Sequence, residues 1–231
     1  MHCNGSGTDF PASFCYLPIM SRAPSFCGVI LSAGESSRMG TDKALLPWPP
    51  AAPGQPTSGE TFLSSAIRSL SPYADMVIVV GGRNEPNLEP IVYAMAAFLV
   101  RNPDPARGQF SSLQVGLQEV LNRGRDAAMI TLVDRPPVAP ATIDALRAAF
   151  EDAYARGKWA VIPQYGNQHG HPFLIGREMM TRFLQAPATA TARDIEHQHQ
   201  QHIEYIPVDD PFVTANIDTP QDYAAVTTSV R

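Results

Sequence analysis

The segment Phe26-Cys-Gly-Val-Ile-Leu-Ser-Ala-Gly34, continued by Glu35-Ser-Ser-Arg-Met-Gly40, decides how the rest of the chain is read. Its first half is an unbroken apolar run, the pattern of a central parallel strand covered on both faces. Its second half turns small and polar. A loop at the end of the first strand is where an open α/β sheet takes its ligands. Leu31 ends the strand, and the small residues Ser32, Ala33 and Gly34 let backbone N–H groups approach phosphate oxygens. Ser36 and Ser37 add hydroxyl donors, and Arg38 and Lys43 add positive charge. A triphosphate needs both kinds of donor. The dinucleotide fingerprint G-x-G-x-x-G and the Gly-Lys-Ser/Thr ending of a P-loop are both absent, which counts against hydride transfer and P-loop ATPase chemistry.

Outward from this loop, hydrophobic periodicity predicts strands over 26–32, 76–82, 97–101, 127–133, 159–163, 172–176 and 203–208. It predicts helices over 61–70, 87–96, 111–122, 140–156, 177–184, 191–201 and 219–226. Strand and helix alternate almost throughout, so the expected fold is α/β, Rossmann-like, with a mainly parallel sheet between two helix layers. The stretch 49–56 carries Pro49, Pro50, Pro53 and Pro56, which forbid helix or central strand and make it a surface loop.

The chain has 231 residues, enough for one large α/β domain with a sizeable core. We read 1–25 as a loose, disordered leader and 26–231 as a single domain; Met20 is a second candidate start. The leader lacks a basic n-region, and Pro11, Pro18 and Pro24 interrupt its apolar stretch, so it is a poor signal peptide. A net charge of -5 points away from nucleic acid, so a polyphosphate would need local positive groups. No apolar run approaches the roughly 20 residues that span a bilayer. Cys3, Cys15 and Cys27 form neither a disulfide framework nor a metal knuckle, and the simplest location is the reducing cytoplasm.

Leu31-Ser-Ala-Gly-Glu-Ser-Ser-Arg-Met-Gly-Thr-Asp-Lys-Ala-Leu-Leu-Pro47 resembles the L-x-[AG]-G-x-S-x-R-M-G-x-x-K-x-L-L-P signature of MobA-like nucleotidyltransferases. Within them it is most similar to the molybdenum cofactor cytidylyltransferase branch. Four more blocks follow in family order. Asn102-Pro, Gly108 and Ser111-Ser-Leu113 resemble the nucleotide-binding loop and its helix. Leu132-Val-Asp134-Arg-Pro136-Pro137 resembles the metal-binding D-x-P turn, Gly170-His171-Pro172 a G-H-P element, and Ile217-Asp218-Thr219-Pro220 with Asp222 the closing I-D-T-P element. Val133 and Arg135 depart from the pattern, where glycine and Gln or Met are common.

This resemblance implies the three-layer fold of the nucleotide-diphospho-sugar transferase type and a Mg2+-dependent transfer of a nucleotidyl group. Asp134 ends an apolar strand before a proline turn, and Mg2+ takes few carboxylates beside phosphate oxygens and water. The resemblance pairs it with Asp218; the other reading of Asp218 is a helix N-cap before Thr219-Pro220. Arg38, Lys43 and the metal would neutralise the leaving pyrophosphate, and a phosphate acceptor needs no general base. Gly81, Ser111 and Ser112 are candidate contacts to base or ribose. Ala33, where guanine-using relatives carry glycine, favours CTP over GTP. His171 is either an acceptor contact or a satisfied histidine at a strand start. His197, His199 and His202 share no helical face well and read as a solvated polar helix, not a metal site. The expected acceptor is the phosphate of a molybdopterin-type cofactor, with a molybdoenzyme as a possible recipient. Rival readings are a sugar- or polyol-phosphate nucleotidyltransferase and a non-catalytic cofactor carrier. Arg135 and the 49–56 loop bear on the acceptor more than on the nucleotide.

Overall fold

A computed structural model describes residues 24–34, 36, 39–50, 58–187 and 189–229. Strand β1, Phe26–Ser32, is buried along its whole length. Its side chains alternate between two apolar layers: Phe26 and Ile30 face one, Cys27, Val29 and Leu31 the other. A strand that is apolar on both faces belongs at a sheet centre. β1 accordingly lies between β2, Met76–Gly81, and β4, Ala127–Leu132, parallel to both. β3, Phe98–Arg101, adds in parallel outside β2.

On the other side, β7, Phe173–Gly176, runs antiparallel to β4 and to β5, Ala160–Tyr165. β8, Ile203–Pro207, pairs in parallel with β5. The remaining strand, β6, Gln168–His169, is a two-residue return from β5 that periodicity does not predict. β6 and β7 form one interrupted arm. Between the pairs Val161–Leu174 and Gln164–His169, β5 advances three residues and the arm five. The surplus makes a bulge over 170–172, and bulges re-aim side chains.

Helices α1, Phe62–Leu70, α2, Glu85–Ala94, α4, Pro140–Ala155, and α7, Pro220–Ser229, cover one face. Helices α3, Gln109–Asn122, α5, Arg177–Gln185, and α6, Ala192–Gln198, cover the other. The mainly parallel sheet between two helix layers is therefore as expected. Fully burying one of the core Leu, Ile or Phe side chains contributes about 1.5–3 kcal/mol, and both layers are built from them.

Element ends differ from expectation for local reasons. α2 starts at Glu85 rather than 87 because Pro86 is tolerated in a first turn, and it stops before Ala96, which takes φ 54°. α6 stops at Gln198 instead of reaching 201. His202 leaves the helix to stack on Trp159 at 3.7 Å, so that histidine is a packing residue as much as a solvated one. Ser25, the last residue assigned to the leader, packs against the domain. Ser25 is buried, and its N–H and Oγ donate to Asp126 Oδ2 at 3.0 and 2.7 Å. Residues 1–23, with Cys3 and Cys15, and residues 51–57 of the proline-rich stretch lie outside the described residues. Cys27 is buried, and burial pushes its thiol up to about 12, far from a reactive thiolate. Among the described residues no helix is long and apolar enough to cross a membrane.

Candidate active site

Four segments meet at the C-terminal edge of β1 and β4. The turn after β1 supplies Ala33, Gly34 and Ser36 to the wall of a cleft of about 510 Å³. Ser36 takes φ 49°, a left-handed conformation that non-glycine residues rarely adopt. In that conformation its Oγ accepts the Lys43 N–H at 3.0 Å, which leaves its own proton for a ligand. Ser37 and Arg38 lie outside the described residues.

The second segment carries Lys43 at the start of a 3-10 turn, Lys43–Leu45, capped by Asp42, whose Oδ1 accepts the Ala44 N–H at 3.0 Å. Lys43 is only 8% exposed. A buried ammonium needs opposite charge, and it has two partners. Its Nζ donates to Asp134 Oδ2 at 3.0 Å and to Asp218 Oδ1 at 2.8 Å.

The third and fourth segments bring those carboxylates together. Asp134 follows β4. Its carbonyl accepts the Ile217 N–H at 3.0 Å, while Arg135 Nη1 donates to the carbonyls of Val213 and Ala215 at 3.4 and 3.2 Å. The chain 213–217 is thereby docked against the end of β4 and presents Asp218. Arg135 is thus first a clamp. Burial lowers its pKa, and Asp134 and Asp218 oppose that shift.

The N-cap alternative for Asp218 fails on geometry. Thr219 caps α7: its Oγ1 accepts the Asp222 N–H at 3.2 Å, and Asp222 Oδ2 accepts the N–H groups of Thr219 and Asp218 at 2.8 and 3.0 Å. The Asp218 carboxylate instead meets Lys43 and the Asn216 Nδ2 donor, the latter at 2.7 Å.

Other expected residues support the cleft from behind. The Ser32 Oγ is buried without a hydrogen-bond partner among the described residues, and the Ser32 carbonyl accepts from Asn84 Nδ2 at 2.9 Å. Gly81 faces Leu88 and Leu99 in the core. The glycine that matters to the loop is Gly82: a Cβ there would lie 2.8 Å from the Ala33 carbonyl oxygen. Ser112 lines the cleft, but Ser111 is turned inward, donating to the Gly108 carbonyl at 2.7 Å. Buried Asn102 donates to both serine hydroxyls at 2.9 Å.

Sequence reading missed Asn84 altogether. It bridges three loops, donating to Ser32 O and to Asp42 Oδ2 at 2.7 Å and accepting the Gly82 N–H at 3.0 Å. No short motif announces it, because its partners are spread over more than 50 positions.

A larger cleft of about 990 Å³ adjoins the first and shares Leu31, Gly108, Gln109, Leu132 and Arg135 with it. His171 lies in its wall, on the bulge. Its backbone N–H donates to the Val213 carbonyl at 2.8 Å, and its Nδ1 is buried without a partner among the described residues. Burial, with Arg135 nearby, depresses its pKa to about 3, so the ring is neutral at neutral pH. Among the described residues no group of three or more His, Cys, Asp or Glu converges as a metal site, His197, His199 and His202 included.

Residues 28–203 match the MobA-like NTP transferase domain. A molybdenum cofactor cytidylyltransferase from Escherichia coli is 26% identical over 195 residues, 84% of this chain and 92% of that one. A Rhodopirellula baltica protein named "Probable molybdenum cofactor guanylyltransferase" is 33% identical over 116 residues, 50% of this chain and 51% of that one. Among solved structures, Rv0371c from Mycobacterium tuberculosis is similar with a TM-score of 0.71 and 25% identity, covering 90% of this chain and 99% of that one.

Proposed function

The chain belongs to the MobA-like NTP transferase family, and from that premise we propose that it transfers CMP from CTP to the phosphate of a molybdopterin-type cofactor, releasing pyrophosphate. The observation that carries this reading is the junction of Lys43, Asp134 and Asp218 at 2.8 and 3.0 Å in the smaller cleft, which adjoins the larger one at Arg135, the residue after Asp134. One cleft suits a nucleoside triphosphate and the other an acceptor.

The two carboxylates already share one cation, the Lys43 ammonium. Two carboxylates with phosphate oxygens and water are the donor set that Mg2+ favours. Asp134 and Asp218 would hold it, and it would supply charge neutralisation on the triphosphate. Lys43, released from the carboxylates, reaches the phosphates. Ser36 donates its free hydroxyl proton to a phosphate oxygen, and Arg38 is assigned to the same phosphates by its place in the motif.

An acceptor phosphate oxygen forms a bond to the α-phosphorus as the α–β bridge breaks, and the electron pair leaves with pyrophosphate. The attacking oxygen is already anionic, so no side chain need remove a proton. Alignment and charge neutralisation carry such transfers. Neutral His171 holds the acceptor through a ring nitrogen. Ala33 lines the nucleotide cleft, and its methyl, where guanine-using relatives carry glycine, supports a pyrimidine.

The test is pyrophosphate release from each NTP with Mg2+ and a panel of acceptors: a molybdopterin-type cofactor, sugar phosphates and polyol phosphates. CTP with the cofactor should be the productive pair. Release only with a sugar or polyol phosphate would replace the acceptor; tight binding of both ligands without release from any pair would make the chain a carrier.

A further inference from the structure

Beyond Arg135 the larger cleft has a chemistry that the transfer step leaves unused. Its described walls include Arg107, Arg135, Arg193 and a single acid, Glu196. Glu196 stands on α6, and no hydrogen bond or ion pair to its carboxylate is found among the described residues. Burial raises its pKa to about 7, with Arg193 opposing the shift. Glu196 is half-buried and lines the cleft, so solvent there supplies its donors, which the N–H groups of a ligand can replace. Beside it, Tyr205 on β8 stacks on His169 on β6, ring centroids 4.2 Å apart and planes within 17°. The phenol feels Glu196: burial first, then that charge, raises its pKa. A lone carboxylate next to a flat π surface asks for a planar ligand with donors on its edge.

The cleft's dimensions give the ligand a direction. Arg135 belongs to both clefts, whereas Glu196, Tyr205 and His169 belong only to the larger one. The acceptor's phosphate must lie at the junction to meet the α-phosphorus, so its other end extends toward Glu196. A volume of about 990 Å³ lies near the top of the roughly 300–1,000 Å³ of small-molecule sites, more than a monosaccharide phosphate fills.

We propose that Glu196 is the residue that reads the acceptor, its two carboxylate oxygens accepting the parallel N–H and NH2 donors of a 2-amino-4-oxopteridine edge while the ring lies against Tyr205. Two parallel N–H···O bonds to a carboxylate are the strong, geometrically selective form of this contact. The proposal rests on the acceptor reading above, and it makes Glu196 a specificity residue with no part in the transfer itself.

The test uses the full chain and two fluorescent probes: 6-hydroxymethylpterin phosphate, which carries the 2-amino group, and its 2,4-dioxo counterpart, which does not. Wild type should bind the amino probe more tightly than the dioxo probe. Glu196→Gln keeps the shape but presents one donor in place of an acceptor. It should weaken the amino probe by about tenfold or more, the loss expected when a charge-assisted pair is broken, and leave the dioxo probe and CTP unchanged. In turnover the acceptor KM should rise while kcat holds. Equal weakening of both probes, or no change in either with CTP binding intact, overturns the role of Glu196 and leaves the transferase reading standing. Failure of wild type to bind either pteridine, with pyrophosphate release from a sugar phosphate instead, overturns both.

Discussion

Asp134 and Asp218 are 84 positions apart, yet a single ammonium touches both. At this scale charge decides the outcome of substitution. Asp134→Ala removes one of two carboxylates and should abolish turnover, a loss of at least about 100-fold as for other charge-stabilising groups, read as pyrophosphate release with the fold intact by circular dichroism. Lys43→Ala should instead act mainly on the triphosphate, raising its KM. His171 gives a prediction in pH. Its folded pKa of about 3 lies below the ordinary 6.5, so the unfolded chain binds the proton first. The neutral ring's stability is full above 6.5 and is lost as pH falls toward 3. The melting midpoint of His171→Asn should therefore fall less steeply than that of wild type across this window; parallel slopes would refute a buried neutral ring. Single residues were also the most legible level. Lys43, Asp134 and Asp218 could be named from motif order. Asn84 and Glu196 could not, because their roles exist only once distant loops and helices are folded together.

Secondary-structure elements bring these side chains into reach, and their ends matter more than their middles. α7 positions Asp218 through the Thr219–Asp222 capping box, and hydrogen bonds from Thr219 hold the Asp222 carboxyl below the usual range. Thr219→Ala should destabilise the protein by about 1 kcal/mol, the ordinary loss for a Thr cap, and also lower kcat, because the Asp218 N–H is held by the same carboxylate. Urea titration and turnover read the two effects separately. The depressed Asp222 pKa adds a sign: the box contributes its stability above the unfolded carboxyl pKa and loses it as pH falls through the folded one. The long strands and helices were legible from apolar periodicity. The β6–β7 bulge was not, since its register depends on two extra residues that break no pattern, and the exchange of Thr219 for Asp218 as cap needed the actual hydrogen bonds.

For the whole molecule, the double-faced apolar pattern of β1 was enough to foresee a sheet with helices on both sides, whereas the antiparallel place of β7 was not, because both strand directions bury the same residues. The two layers are close-fitted: a methyl on Gly116 of α3 would come within 2.9 Å of Val29. Leu117, fully buried beside it, tests that fit. Leu117→Ala should lower unfolding stability by about 2–5 kcal/mol while the KM for nucleotide stays level, since the site lies at the sheet edge. Finally, the Lys43 ammonium gives the acidic pair a counter-ion that is part of the chain. The fold therefore does not depend on an exchangeable ion to hold Asp134 and Asp218 side by side. Chelation with EDTA should stop turnover and leave the melting temperature where it was, whereas in Lys43→Ala the same chelator should lower it. On the proposed reading, a protein built this way would tolerate being made, stored and handled free of metal, and would take a divalent ion together with the nucleotide that draws the lysine away.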